Sequence, residues 1–177
     1  DWNFIFVGYG SGDVYSGDNS NVDVGFGGDA NQTFKGFNNF RIMLTDYIDF
    51  IKSKDQELTE VMIAGSSAGG YGVMANFDQM VNIISEKYPD VTFTLLNDAG
   101  YLPLDTSLVP VCLLENWNNT FNIQIPDDFD QYISSTYTVP FLGVFEYLSK
   151  KYPNANFGYF GSYFDLNERV LFSLEEN

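Results

Sequence analysis

The chain has 177 residues, of which 45% are hydrophobic and 18% aromatic, enough for one domain with a packed core and too apolar for a disordered segment. The 24 acidic residues against 8 basic ones give a formal charge of −16, which repels nucleic acid and anionic membrane surfaces and argues against both as partners. No apolar run nears the roughly 18 residues of a membrane span, and a single cysteine, Cys112, rules out an internal disulfide.

Residues 3–7 (Asn-Phe-Ile-Phe-Val) are a short, nearly continuous apolar run, the pattern of a strand buried on both faces. Residues 8–31, rich in Gly, Ser, Asn and Asp, read as a loop. From 36 to 51, Phe37, Phe40, Leu44, Tyr47, Ile48 and Ile51 recur at helical spacing. Residues 60–64 are the next buried strand. Residues 68–88 form a helix with Val73, Phe77, Met80, Val81 and Ile84 on one face; Pro89 stops it, and 91–96 is a third apolar strand. This alternation implies an α/β fold, a parallel sheet with right-handed crossovers whose ligands sit at the carboxyl ends of the strands. Residues 101–139 carry Pro103, Pro110 and Pro126 and scattered apolar side chains without a period, so a lid or substrate-binding loop without regular elements is expected there. Phe141, Val144, Phe145 and Leu148 mark another helix, 157–163 a fourth strand, and 170–174 a short final helix.

The chemistry concentrates between the second strand and its helix, where Gly65-Ser66-Ser67-Ala68-Gly69 is a G-x-S-x-G pattern centred on Ser67. Serine needs a base and a site for the developing oxyanion before it attacks an ester. Gly65 and Gly69 are required because larger residues would collide with neighbouring backbone in so tight a turn. The amide of Ala68, opening the helix, is a natural oxyanion donor, and the helix dipole favours negative charge there. No histidine occurs in the chain, so the usual base is absent from these residues.

The run Asp1-Trp2-Asn3-Phe4-Ile5-Phe6-Val7-Gly8-Tyr9-Gly10-Ser11-Gly12-Asp13-Val14-Tyr15-Ser16-Gly17 resembles the pectin acetylesterase and Notum family, as do Phe34-x-Gly36-x-Asn38, the Ser67 segment and Asp98-Ala99-Gly100. The resemblance covers residues 1–100 and fades until Tyr163-Phe164-Asp165. Gly10 stands where the family has cysteine, Gly8 where it has proline, and Tyr15 where it often has histidine. The resemblance implies a single partial α/β-hydrolase domain over 1–177, incomplete at both ends, with 101–139 as an insertion. It also implies a secreted carboxylic ester hydrolase acting on an acetylated polysaccharide such as pectin, without a cofactor or metal. Ser67 takes the nucleophile position, Ala68 an oxyanion position and Asp165 the position of the acid that orients the imidazole. The family's histidine lies beyond that acid, so an internal piece of a longer hydrolase, inactive by itself, is expected. Gly12 and Asp13 belong to the active-site loop, with Asp13 organising it through backbone hydrogen bonds.

Other features carry two readings. Asp98 is an alternative acid. Asp13, Asp18, Asp23 and Asp29 crowd one loop, but their spacing fits no calcium loop and solvated acids are the plainer expectation. Trp117, Phe121, Tyr132 and Tyr137 suit an acyl or sugar pocket as well as a satellite core. Cys112 reads as a buried small hydrophobe. The rival function is a non-catalytic binding protein on a hydrolase scaffold.

Overall fold

The computed structural model describes residues 2–25, 31–100, 111–134, 137, 139–162 and 165. In chain order these form β1 (Asn19–Val22), β2 (Gln32–Phe34), α1 (Gly36–Ser53), β3 (Glu60–Ser66) and α2 (Ala68–Ser85). Then follow β4 (Thr92–Asp98), α3 (Val111–Phe121), α4 (Val144–Lys151) and β5 (Asn156–Phe160), with short 3₁₀ turns at Phe129–Gln131 and Pro140–Gly143.

β3, β4 and β5 make a parallel sheet in that order, and β1 and β2 a separate antiparallel pair. β4 is central and alternates strictly: Phe93, Leu95 and Asn97 are buried, while Thr92 and Leu96 are exposed on the opposite face. The buried face packs on α2, whose residues Gly70 to Val81 are all buried. A helix enclosed on every side has no polar face to give to water, and α2 lies between the sheet, α1 and α4. Phe77, Ile84 and Leu95 at its contact with β4 have no solvent exposure.

A polar tie fixes α4 to α2. Lys151 Nζ lies 2.7 Å from both Asp78 Oδ1 and Asp128 Oδ2, and the Tyr147 and Tyr152 hydroxyls donate to Asp78 at 2.7 and 2.6 Å. Burial and these carboxylates push both tyrosines far above their usual pKa. Burial works to lower the Lys151 pKa, but hydrogen bonds and charge from Asp128 and Asp78 outweigh it and raise the pKa.

Four sequence expectations change here. Residues 3–7 are in no ladder, and Phe4 and Phe6 are 88% and 87% exposed. An apolar run becomes a strand only when a neighbouring backbone pairs with it. Among the described residues β3 pairs on its β4 side alone, and residues 5–7 line a groove together with β3 without pairing to it. The 8–31 loop contains β1 and pairs through it with β2. Within 101–139, residues 111–121 are helical: Leu114, Trp117 and Phe121 are helically spaced, and Leu114 is buried. Cys112 lies off that stripe and is exposed, not buried. The expected final helix at 170–174 falls outside the described residues.

Candidate active site

The parallel register ends by pairing Gly65 with Asn97 and Ser66 with Asp98. One residue further, the Ser67 amide donates to the Asp98 carbonyl at 2.8 Å, and the chain then turns sharply into α2. Ser67 pays for the turn with φ 53° and ψ −117°, a conformation a non-glycine residue rarely adopts. Its carbonyl accepts from Gly70 at 2.8 Å and Tyr71 at 3.3 Å, starting the helix, while its side chain stays exposed. The closeness of the turn explains Gly65, where a Cβ would lie 2.2 Å from the Gly69 carbonyl oxygen; at Gly69 a Cβ would meet nothing within 4 Å, so the collision expected there does not occur. As the first residue of α2, Ala68 has an amide with no carbonyl to meet within the helix.

Ser67, Ala68 and Gly69 border an apolar groove of about 510 Å³, lined also by residues 61–66 of β3 and by Ile5, Phe6 and Val7. Tyr15 and Asn76 also line it. Tyr15 is held by several contacts. Its hydroxyl donates to Val7 O at 3.2 Å, Asn76 Nδ2 donates to its carbonyl at 2.9 Å, and the Tyr9 ring stacks on it at 4.8 Å. Val14 and Tyr15 both have positive φ, 47° and 59°.

Asp13 underlies that loop. It is fully buried, and its carboxylate accepts from the amides of Gly36 at 2.8 Å and Tyr15 at 3.2 Å and from Ser11 Oγ at 2.9 Å. A buried carboxylate that accepts from three donors beside the start of α1 serves as a structural anchor. Gly12, at φ 68°, turns the chain into it.

The other candidates divide. Asp98 is paired with Ser66 across the ladder, and its carbonyl already serves Ser67. Asp165 is half-buried and follows the carboxyl end of β5, the sheet edge at which Ser67 also lies. Tyr163 and Phe164 lie outside the described residues. Trp117 and Phe121 pack on Tyr71 and Phe34, Tyr132 packs on Tyr147, and Tyr137 donates to Glu146 at 2.7 Å. None of these four borders the groove, so the satellite-core reading fits their contacts. Asp18 pairs with Lys35 at 2.5 Å, which lowers its pKa, and Asp23 accepts from the Gly25 amide. Asp29 lies outside the described residues. Asn76 and Asn97 were not singled out by sequence, although an amide among the buried positions of β4 is a detectable break in the pattern.

Comparisons with known proteins bear on the family and the fold. The profile of the family described as pectinacetylesterase matches residues 1–126. The palmitoleoyl-protein carboxylesterase notum1' of Xenopus laevis is 29% identical over 101 residues, 56% of this chain and 19% of that protein. Its notum2 counterpart from the same organism is 33% identical over 85 residues, 48% of this chain and 15% of the relative. The chain thus spans about a fifth or less of these relatives' length. Among solved structures, the Wnt deacylase Notum from Drosophila superposes with a TM-score of 0.52 at 22% identity, over 85% of this chain and 43% of that one. That similarity supports the α/β-hydrolase fold. With the profile aligned over most of its length, the chain belongs to the pectinacetylesterase family.

Proposed function

We propose that Ser67 is the nucleophile of a carboxylic ester hydrolase. The observation that carries this reading is an exposed serine held at positive φ between a parallel strand and a helix, facing a groove. Such strain is retained where a side chain must be presented for chemistry. Ser67 Oγ attacks the ester carbonyl carbon while its proton passes to an imidazole. The carbonyl oxygen becomes an oxyanion, and the Ala68 amide donates to it. Collapse expels the alcohol, which takes the proton from the imidazolium and leaves an acyl-serine; water then repeats the sequence in reverse roles. Asp165 orients the imidazole, and Asp98 is the alternative acid.

The imidazole must come from polypeptide other than these 177 residues, which contain no histidine. Absence of one triad member costs on the order of 10⁴ to 10⁶ in rate, so the chain alone should not turn over ester above background. The family description favours an acetylated polysaccharide as substrate, whereas the relatives are named for a palmitoleoyl-protein ester. Family membership also favours an exported protein, and among the described residues no helix is long and apolar enough to cross a membrane. The missing histidine favours a second reading, a hydrolase scaffold that binds without catalysis. Turnover of aryl acetate, a longer acyl ester and acetylated pectin by a polypeptide carrying both this chain and a histidine separates these readings. Esterase activity lost in Ser67→Ala supports catalysis; binding of pectin with no turnover of any ester supports the scaffold.

A further inference from the structure

Asn97 interrupts an apolar row. The positions of β4 that face α2 are Phe93, Leu95 and Asn97, and Asn97 has no solvent exposure at all. A carboxamide removed from water must find partners. Asn97 spends both ends on one residue: its Oδ1 accepts from the Gly100 amide at 2.8 Å, and its Nδ2 donates to the Gly100 carbonyl at 3.0 Å. The side chain is therefore a brace that folds the chain back on itself as β4 ends.

The braced turn is also the surface on which α2 starts. A Cβ at Gly70 would lie 2.4 Å from Asn97 Oδ1 and 2.6 Å from the Gly100 nitrogen, and one at Gly100 would lie 2.4 Å from the Gly70 carbonyl carbon. Inside the turn, the Asp98 carbonyl receives the Ser67 amide, and Ala99, at φ 56°, donates to the Phe160 carbonyl at 2.6 Å. Displacing Gly100 would therefore move both the Asp98 acceptor and the first turn of α2, which between them hold Ser67.

We propose that Asn97 is a positioning residue for Ser67, its carboxamide fixing the 97–100 turn so that Asp98 and Gly100 keep the serine in its positive-φ conformation. The role in catalysis rests on Ser67 being the nucleophile; the role in shaping the turn does not. Asn97 does not border the groove, so its contribution falls on kcat and leaves KM largely alone.

Amide hydrogen exchange by NMR on the 177-residue chain tests the brace. In Asn97→Ala, the protection factors of Ser67 and Gly100 should fall about tenfold relative to those of Ile63 and Leu95, as expected for losing a buried hydrogen-bonded brace. Asn97→Asp supplies the rescue. Its carboxyl group, when protonated, has one donor and one acceptor and reproduces both bonds, whereas the ionised form lacks the donor. Protection at Ser67 should therefore return as the pH is lowered in that variant and not in Asn97→Ala. The Asp variant also carries the test if the Ala variant fails to fold. An equal fall at all four amides would make Asn97 a mere core plug and overturn the proposal, as would unchanged protection at Ser67. In the esterase assay, kcat should drop about tenfold with KM within about twofold. Full activity in Ser67→Ala would instead refute the nucleophile reading while leaving the exchange result to judge the brace.

Discussion

The Ser67 amide donates to the Asp98 carbonyl at 2.8 Å, extending the β3–β4 ladder one residue beyond its last pair, Ser66 with Asp98. Parallel pairing thus reaches into the turn itself and stabilises a backbone conformation that Ser67 would otherwise leave. The serine's exposure and its rigidity have a common origin: the strand holds it from behind while the helix carries the chain away in front.

The turn has no room beside Gly65. Gly65→Ala would drive a methyl to within 2.2 Å of the Gly69 carbonyl oxygen. Either the ladder or the start of α2 must give, and we expect a loss of about 2 to 4 kcal/mol in urea unfolding. Ser66→Ala, at an exposed neighbouring position, should change stability by less than about 0.5 kcal/mol and serves as the control.

Asp13 anchors the loop that carries Tyr15. Asp13→Ala would leave the Gly36 and Tyr15 amides without their acceptor and remove the Ser11 contact. Charge-assisted bonds of this kind are worth more than neutral ones, so we expect about 3 kcal/mol of destabilisation. The urea midpoint should shift at constant slope, and a midpoint within error of the parent would contradict the anchor role.

The α2–α4 tie makes stability sensitive to alkali. Tyr147, Tyr152 and Lys151 all have raised pKa values in the folded protein. Above about pH 10 the unfolded chain releases these protons while the folded one retains them. The folded state then binds more protons, so stability is fully present below that pH and declines as pH rises through it. The slope of unfolding free energy against pH should steepen there, and Tyr152→Phe should reduce it by about one proton. An unchanged slope in that variant would show that Tyr152 ionises equally in both states.

What could be read from sequence was whatever a segment's own side chains encode. The helical stripe from Phe40 to Ile51 and the inward row of α2 report burial through periodicity, and both helices begin at or beside the expected residue. Gly65 and Asp13 were legible for a related reason: their chemistry constrains nearby backbone. Residues 3–7 misled because strand formation depends on a partner and not on apolar character. Helix α3 was hidden because Pro103, Pro110 and Pro126 masked the spacing of Leu114, Trp117 and Phe121. Asn97 needed the fold itself, since only the packing of Gly70 against Gly100 turns a buried amide into a brace for Ser67.

The central claim, that Ser67 forms an acyl intermediate, is tested most directly by mass spectrometry of the peptide containing Ser67. A polypeptide carrying this chain and a histidine would be quenched during turnover of an aryl acetate. An acetyl adduct on Ser67, absent together with turnover in Ser67→Ala, is the predicted result. Undiminished turnover by Ser67→Ala would contradict it.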